Sequence, residues 1–164
     1  MKTKVFIHGH EGTTGLRIHE RLKIRQDIEL VPIADELRKE PEAIAECMKK
    51  ADLAFLCLPD GAAKEAVAIA ADCQVRLIDT STAHRTADGW TYGFPELSPA
   101  QYQAIAESDR VANPGCHASG VIAVVQPLVQ AGILPEEYPV SAVSLTGYSG
   151  GGKKMIAQYE GADK

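Results

Sequence analysis

Val5-Phe6-Ile7-His8-Gly9-His10-Glu11-Gly12-Thr13-Thr14-Gly15 begins as a short apolar run, turns on glycines and leads into a helical pattern. Val5 to His8 reads as a buried strand. The pattern from Thr13 to Arg25 reads as a helix with Leu16, Ile18, Leu22 and Ile24 inward. Glycines at such a junction let the backbone turn tightly and approach a pyrophosphate. The helix start then offers unpaired N–H groups and a positive dipole end. The spacing Gly9-x-x-Gly12-x-x-Gly15 is not the usual G-x-G-x-x-G, and an ordinary glycine turn would satisfy it too. The hydroxyls of Thr13 and Thr14 suit either phosphate contact or helix capping.

Reading outward, the same alternation recurs. Ile28 to Ala34 is a second strand, and Pro32 marks it as an edge or an irregularity. A helix follows Pro41 and runs to Lys50. Leu53 to Leu58 is a third strand, stopped by Pro59-Asp60-Gly61, and an Ala-rich helix runs from Ala62 to about Cys73. Val75 to Asp79 is a fourth strand. Strands alternating with helices imply right-handed crossovers and a parallel sheet, so the class is α/β, Rossmann-type, with flanking helices. Residues 80–97 break the rhythm as a long polar loop, and such loops are often functional. Ser98-Pro99 starts a short helix, Arg110 to Ala112 is a brief strand, and a helix opens near Cys116 with Pro127 inside it. Val140 to Leu145 reads as a last strand. The units are expected at 1–115, the dinucleotide-binding domain, and 116–164, the start of an α+β catalytic domain.

Composition excludes several classes. With 45% hydrophobic and 24% charged residues the chain should fold as a soluble globule. A net charge of -5 argues against a nucleic-acid partner, which needs clustered Lys and Arg. Apolar stretches are broken well before the roughly 20 residues of a membrane span, and Met1-Lys2-Thr3-Lys4 leads straight into a strand without a signal peptide. The four cysteines show no paired spacing, which suits free thiols in the cytoplasm.

Asn113-Pro114-Gly115-Cys116-His117 joins a strand to a helix. A thiol at a helix start faces the positive end of the macrodipole, which favours the nucleophilic thiolate. The same N–H groups suit a developing oxyanion. The helix stays apolar through Val121, Ile122, Val124, Val125, Leu128 and Val129, so it should be buried. Cys47, Cys57 and Cys73 read as inert core thiols. His117 is adjacent to Cys116 and does not face it, which argues against a role as its base. His8, His10 and His19 cluster near the glycine turn, but no carboxylate or thiol stands at metal-ligand spacing, so no metal is expected. Arg85, in the polar loop beside His84, suits bidentate grip of a phosphate or carboxylate. After the second strand, Asp35 and Glu36 would favour NAD, while Arg38 and Lys39 would favour NADP.

Six segments in this order carry a resemblance: VFIHGHEGTTG (5–15), LCLPDG (56–61), IDTSTAHR (78–85), YGFPEL (92–97), VANPGC (111–116) and GYSGGGK (147–153). The chain resembles the N-acetyl-gamma-glutamyl-phosphate reductases of arginine biosynthesis, in their shorter type 2 branch, over essentially its whole length. The resemblance implies NADP(H), with Gly9, Gly12, Thr13, Thr14 and Gly15 at its phosphates and Arg38, Pro59 and Ser81 also toward the cofactor. It implies Cys116 as nucleophile, and Arg85, Asn113, Ser149 and Gly150 toward a small acyl phosphate substrate. The implied reaction is reduction of N-acetyl-L-glutamyl 5-phosphate to the semialdehyde with release of phosphate, through a Cys116 thioester, in a cytoplasmic homo-oligomer when full length. Family members are longer and carry a catalytic His in their second half. Nothing here matches that motif, so the chain is expected to be an N-terminal portion. An aspartate-semialdehyde or glyceraldehyde-phosphate type dehydrogenase would share the thioester route, and a non-catalytic NADP(H)-binding module would share only the first domain.

Overall fold

The structure, a computed structural model, describes residues 1–161. Residues 162–164, the end of the expected second unit, and the side chains of Lys153 and Lys154 lie outside the described residues. The strands are β1 (Thr3–His8), β2 (Ile28–Val31), β3 (Leu53–Leu56), β4 (Arg76–Asp79), β5 (Thr91–Tyr92) and β6 (Arg110–Ala112). The helices are α1 (Thr13–Lys23), α2 (Pro41–Lys50), α3 (Asp60–Ile69), α4 (Pro99–Glu107), α5 (Cys116–Gln130) and α6 (Gly152–Glu160). All pairings in the six-stranded sheet are parallel, in the order β2-β1-β3-β4-β6-β5. The expected α/β class and Rossmann-type sheet are therefore present. β2 is an edge strand that stops before Pro32, as a residue without an N–H donor requires.

Alternation along β1 divides the two faces. Phe6 points to one side and packs with Ala54 and Leu56 of β3, Ile44 and Met48 of α2, and Ala66 of α3. Phe6, Met48, Ala54 and Leu56 are fully buried, so this layer is the core. Small residues on α3, Ala63 and Ala66, let that helix approach the sheet. Val5 and Ile7 point the other way, where they and His19 of α1 line a cavity of about 230 Å³.

Several expectations need correction. On α1 the buried position is Gly15, with Ile18 and Leu22 half-buried, while Leu16 and Ile24 are exposed. At about 100° per residue, positions 15, 18 and 22 share one stripe, and 16 and 24 fall off it. No strand forms over 140–145: that segment is irregular and exposed, because none of the sheet's strands pairs with it. The long loop of residues 80–97 is shorter than expected, since Thr91–Tyr92 adds a strand beside β6 and Pro95–Leu97 form a 310 turn. The apolar α5 is not buried. None of its residues is fully covered, and near its far end Gln126 and Gln130 donate to the carbonyl of Leu97. Its Val121, Val124 and Leu128 are exposed because no described element lies over that face. Ser98 does cap α4, accepting from the N–H of Gln101 at 3.0 Å.

Met48→Ala should lower unfolding free energy by about 2–5 kcal/mol, the cost of deleting a fully covered side chain. Ile24→Ala, at an exposed site, should stay within about 0.5 kcal/mol of the parent. Urea titration with unchanged slope would check both.

Candidate active site

In this sheet β1 connects to β2 on one side and β3 lies on the other. The chain therefore reverses direction across the sheet between β1 and β3, and a crevice opens at their carboxyl ends. Gly9 and Gly12 follow β1 there, and Cys57, Leu58 and Pro59 follow β3. They share a cleft of about 820 Å³ with Thr13, Arg38 and Lys39, among others.

Two glycines make this crevice possible. Gly9 has φ +87°, and a Cβ on it would lie 2.3 Å from the carbonyl oxygen of Cys57. A Cβ on Gly15 would lie 2.2 Å from the carbonyl oxygen of Gly9. The turn and the first helical turn are therefore pressed together, and any side chain would push them apart. Gly12 caps α1 without a side-chain hydrogen bond, so the first N–H groups of the helix are left for a ligand. A helix start with bare N–H groups, floored by glycine at a switch point, fits a dinucleotide pyrophosphate. Thr14 and Gly15 stand in the first turn of α1, behind the cleft lining.

Charged groups surround the mouth. Arg38 forms an ion pair with Glu11, and His10 lies 3.9 Å from Asp35. His10, Glu11 and Asp35 bring ligand atoms within 4.8 Å of one another, a grouping that sequence spacing did not foresee. Its carboxylates are exposed and Glu11 is already paired with Arg38. Burial, with His10 nearby, pulls the His8 imidazole below its ordinary value, so it is neutral at pH 7.

Cys116 stands at the first position of α5 and is exposed. It borders a second cleft of about 580 Å³ between α5 and the irregular segment 140–147. Gly115, its N-cap, makes no side-chain cap, which leaves the helix-start N–H groups open. Arg85 packs directly against Gly115: a Cβ there would lie 2.7 Å from a guanidinium nitrogen. Arg85 donates from Nε to the carbonyl of Asn113 at 3.0 Å and from Nη2 to that of Thr80 at 3.2 Å. Arg85, Asn113 and Cys116 are thus brought together. His117 turns to Ser144 on the facing segment.

Ser81 is placed differently from an open cofactor contact. It is buried, and its hydroxyl donates to Asp79 at 2.6 Å. Ser149 and Gly150 lie in a 310 turn (Tyr148–Gly151) between the clefts. Thr146 and Gly147 before it border the Cys116 cleft, and Gly151 at its end with Gly152 after it border the glycine cleft. Sequence reasoning missed Asp79, which is fully buried and accepts from Ser81 and His84. The signal was available: an Asp ending a strand before Ser-Thr-Ala-His is placed to accept local hydrogen bonds.

Residues 4–105 match the family described as "Semialdehyde dehydrogenase, NAD binding domain". The chain belongs to that family. A curated N-acetyl-gamma-glutamyl-phosphate reductase of Chelativorans sp. (strain BNC1) is 55% identical over 98% of this chain and 52% of its own length. One of Trichormus variabilis is 51% identical over 97% of this chain and 49% of its own. This semialdehyde dehydrogenase family member thus spans about half the length of the curated relatives it matches. The resemblance read from the six motifs is borne out by relatives of that name. Among solved structures, an aspartate semialdehyde dehydrogenase II from Vibrio cholerae superposes with TM-score 0.68 at 16% identity, over 98% of this chain and 51% of that one, which shows the shared fold.

The cysteines should separate by reactivity. Burial pushes the Cys57 thiol up to about 11, and only the thiolate reacts. Site-resolved mass spectrometry at pH 7.5 should find iodoacetamide on exposed Cys116 well before Cys57. Labelling of Cys57 should rise about tenfold per pH unit up to its high pKa. Equal labelling of both at pH 7.5 would contradict this environment.

Proposed function

We propose that this chain binds NADP(H) and carries the nucleophile of an N-acetyl-gamma-glutamyl-phosphate reductase. The observation that carries the reading is Cys116, exposed at a bare helix start with the Arg85 guanidinium packed against the preceding glycine. The name of relatives 55% and 51% identical supports the substrate. Backbone groups of Gly9, Gly12, Thr13, Thr14 and Gly15 hold the cofactor pyrophosphate at the start of α1. Arg38 takes the 2′-phosphate, Pro59 walls the cleft after β3, and Ser81 holds the loop behind it. When bound, the nicotinamide supplies the hydride that reduces the acyl group.

The chain's own residues do the rest. The Cys116 thiolate attacks the acyl carbon of N-acetyl-L-glutamyl 5-phosphate. The S–C bond forms, the C–O bond to phosphate breaks, and phosphate leaves with the electron pair. The N–H groups at the start of α5 hold the developing oxyanion. Arg85, fixed by two backbone carbonyls, grips an anionic oxygen of the substrate with its remaining donors, and Asn113 lies beside it. Ser149 and Gly150 shape the passage between the two clefts.

The proposal extends to a homo-oligomeric, cytoplasmic enzyme and to a domain boundary between Gly115 and Cys116. The four free cysteines support a reducing compartment. The uncovered apolar face of α5 supports both the boundary and a further surface to be covered in the working enzyme. Among the described residues no helix is long and apolar enough to cross a membrane.

Mixing the protein with N-acetyl-L-glutamyl 5-phosphate, without NADPH, should release phosphate in a single burst. It should leave an acyl mass on the Cys116 peptide, and Cys116→Ser should abolish both. A protein that binds NADPH tightly but never acquires the adduct would instead be a binding module.

A further inference from the structure

Asp79, at the end of β4, is fully buried beside two other polar residues with almost no solvent access, Ser81 and His84. Its Oδ1 accepts from the N–H of Ser81 at 3.0 Å, and its Oδ2 accepts from the Ser81 hydroxyl at 2.6 Å. The same Oδ2 accepts from His84 Nδ1 at 2.6 Å. The Ser81 hydroxyl in turn accepts from the N–H of Ala83 at 3.1 Å. His84 stacks on Trp90, with ring centroids 4.2 Å apart and planes 14° from parallel. Burying such groups is costly unless their hydrogen bonds are made, and packed apolar side chains would often be more stabilising. The arrangement yields geometry instead: three bonds close the chain back on Asp79 within five residues, and a fourth ties Ala83 to Ser81.

The next residue is Arg85. Its two backbone acceptors belong to the same frame. Thr80 is tied to the carbonyl of Leu56, and Asn113 donates its N–H to the Asp79 carbonyl at 2.7 Å. A second clamp holds the loop's outer side, where Thr82 donates to Asp60 from its N–H at 2.9 Å and its hydroxyl at 2.6 Å.

We propose that Asp79 and His84 are positioning residues. Their buried pair fixes the 80–85 turn so that the Arg85 guanidinium is held against the N-cap of the Cys116 helix, ready for an anionic substrate oxygen. This rests on the reading of Arg85 as the anion-binding group beside Cys116. Neither residue touches substrate; both act through Arg85.

The test compares alkylation of Cys116 by iodoacetate, an anion, and by iodoacetamide, its neutral counterpart, at low ionic strength. The same thiolate attacks both, so the rate ratio cancels its population and reports local positive charge. Arg85→Ala should lower the iodoacetate preference roughly threefold, the scale of one unit charge acting through water over several ångströms. His84→Phe keeps a ring against Trp90 but lacks the Nδ1 donor, and should lower the ratio equally. His84→Asn restores an N–H donor and should recover it. Asp79→Asn should match His84→Phe if it folds; if it does not, the His84 pair of variants carries the test. If His84→Phe loses thermal stability but keeps the parent ratio while Arg85→Ala lowers it, positioning is overturned and the Arg85 reading stands. If Arg85→Ala leaves the ratio unchanged, the Arg85 reading falls, and positioning with it.

Discussion

A carboxylate with no access to solvent must be satisfied by its neighbours, and Asp79 is satisfied by the loop that follows it. Its backbone carbonyl also receives the N–H of Asn113, which ends the adjacent strand region and begins the Cys116 turn. One residue therefore joins the carboxyl ends of β4 and β6 to the polar loop. The loop brings Arg85, and the β6 end brings Gly115 and Cys116. Without a Cβ at 115 the guanidinium can lie against the helix start. The reactive corner is a consequence of how one buried charge is paired.

The other half of the site depends on close backbone approach rather than charge. Gly9 and Gly15 let β1, its turn and α1 come closer than any side chain permits. That contact exposes the helix-start N–H groups in the crevice between β1 and β3. The fully covered core of Phe6, Met48, Ala54 and Leu56 lies under the same strands. The cofactor side is thus built on the most firmly packed part of the molecule, as a site that must not move requires.

What was legible in the sequence follows from this physics. Strand and helix order could be read because apolar runs and glycine or proline breaks are local signals. The class of the sheet followed from that order. Cys116 stood out because a strand-turn-helix junction with Pro and Gly is also local. The network around Asp79 was less legible, since burial of a carboxylate depends on what surrounds it in space. The resemblance implies Ser81 toward the cofactor, and the structure adds that its hydroxyl donates to Asp79. The inner face of α1 was misjudged because apolar residues were counted without tracking angle, and the buried position proved to be a glycine. The strand expected over 140–145 failed for a different reason. Alternation and β-branched residues describe a segment's willingness to pair, and this segment lies on neither edge of the described sheet.

The stretch 140–152 nevertheless borders both clefts. Its first part covers one side of the Cys116 cleft, with Ser144 meeting His117. Its last part reaches the glycine cleft at Gly151 and Gly152. Gly152 sits at φ +72°, a conformation that lets the chain turn there into α6 without strain. One irregular segment therefore borders both the nucleophile and the dinucleotide crevice. In the proposed reaction, reduction of an acyl group on Cys116 would require the two clefts to meet at the carbon that accepts hydride. The sheet fixes the dinucleotide side and the start of α5 fixes the sulfur, so their meeting is left to the element between them. Val143 and Leu145 in that element are almost fully exposed, and Val121 and Val124 on the facing side of α5 are exposed in part. Apolar surface of that kind, beside a cleft, gains most from being covered. If Cys116 carries the acyl group as proposed, covering that surface would also shut water away from the thioester.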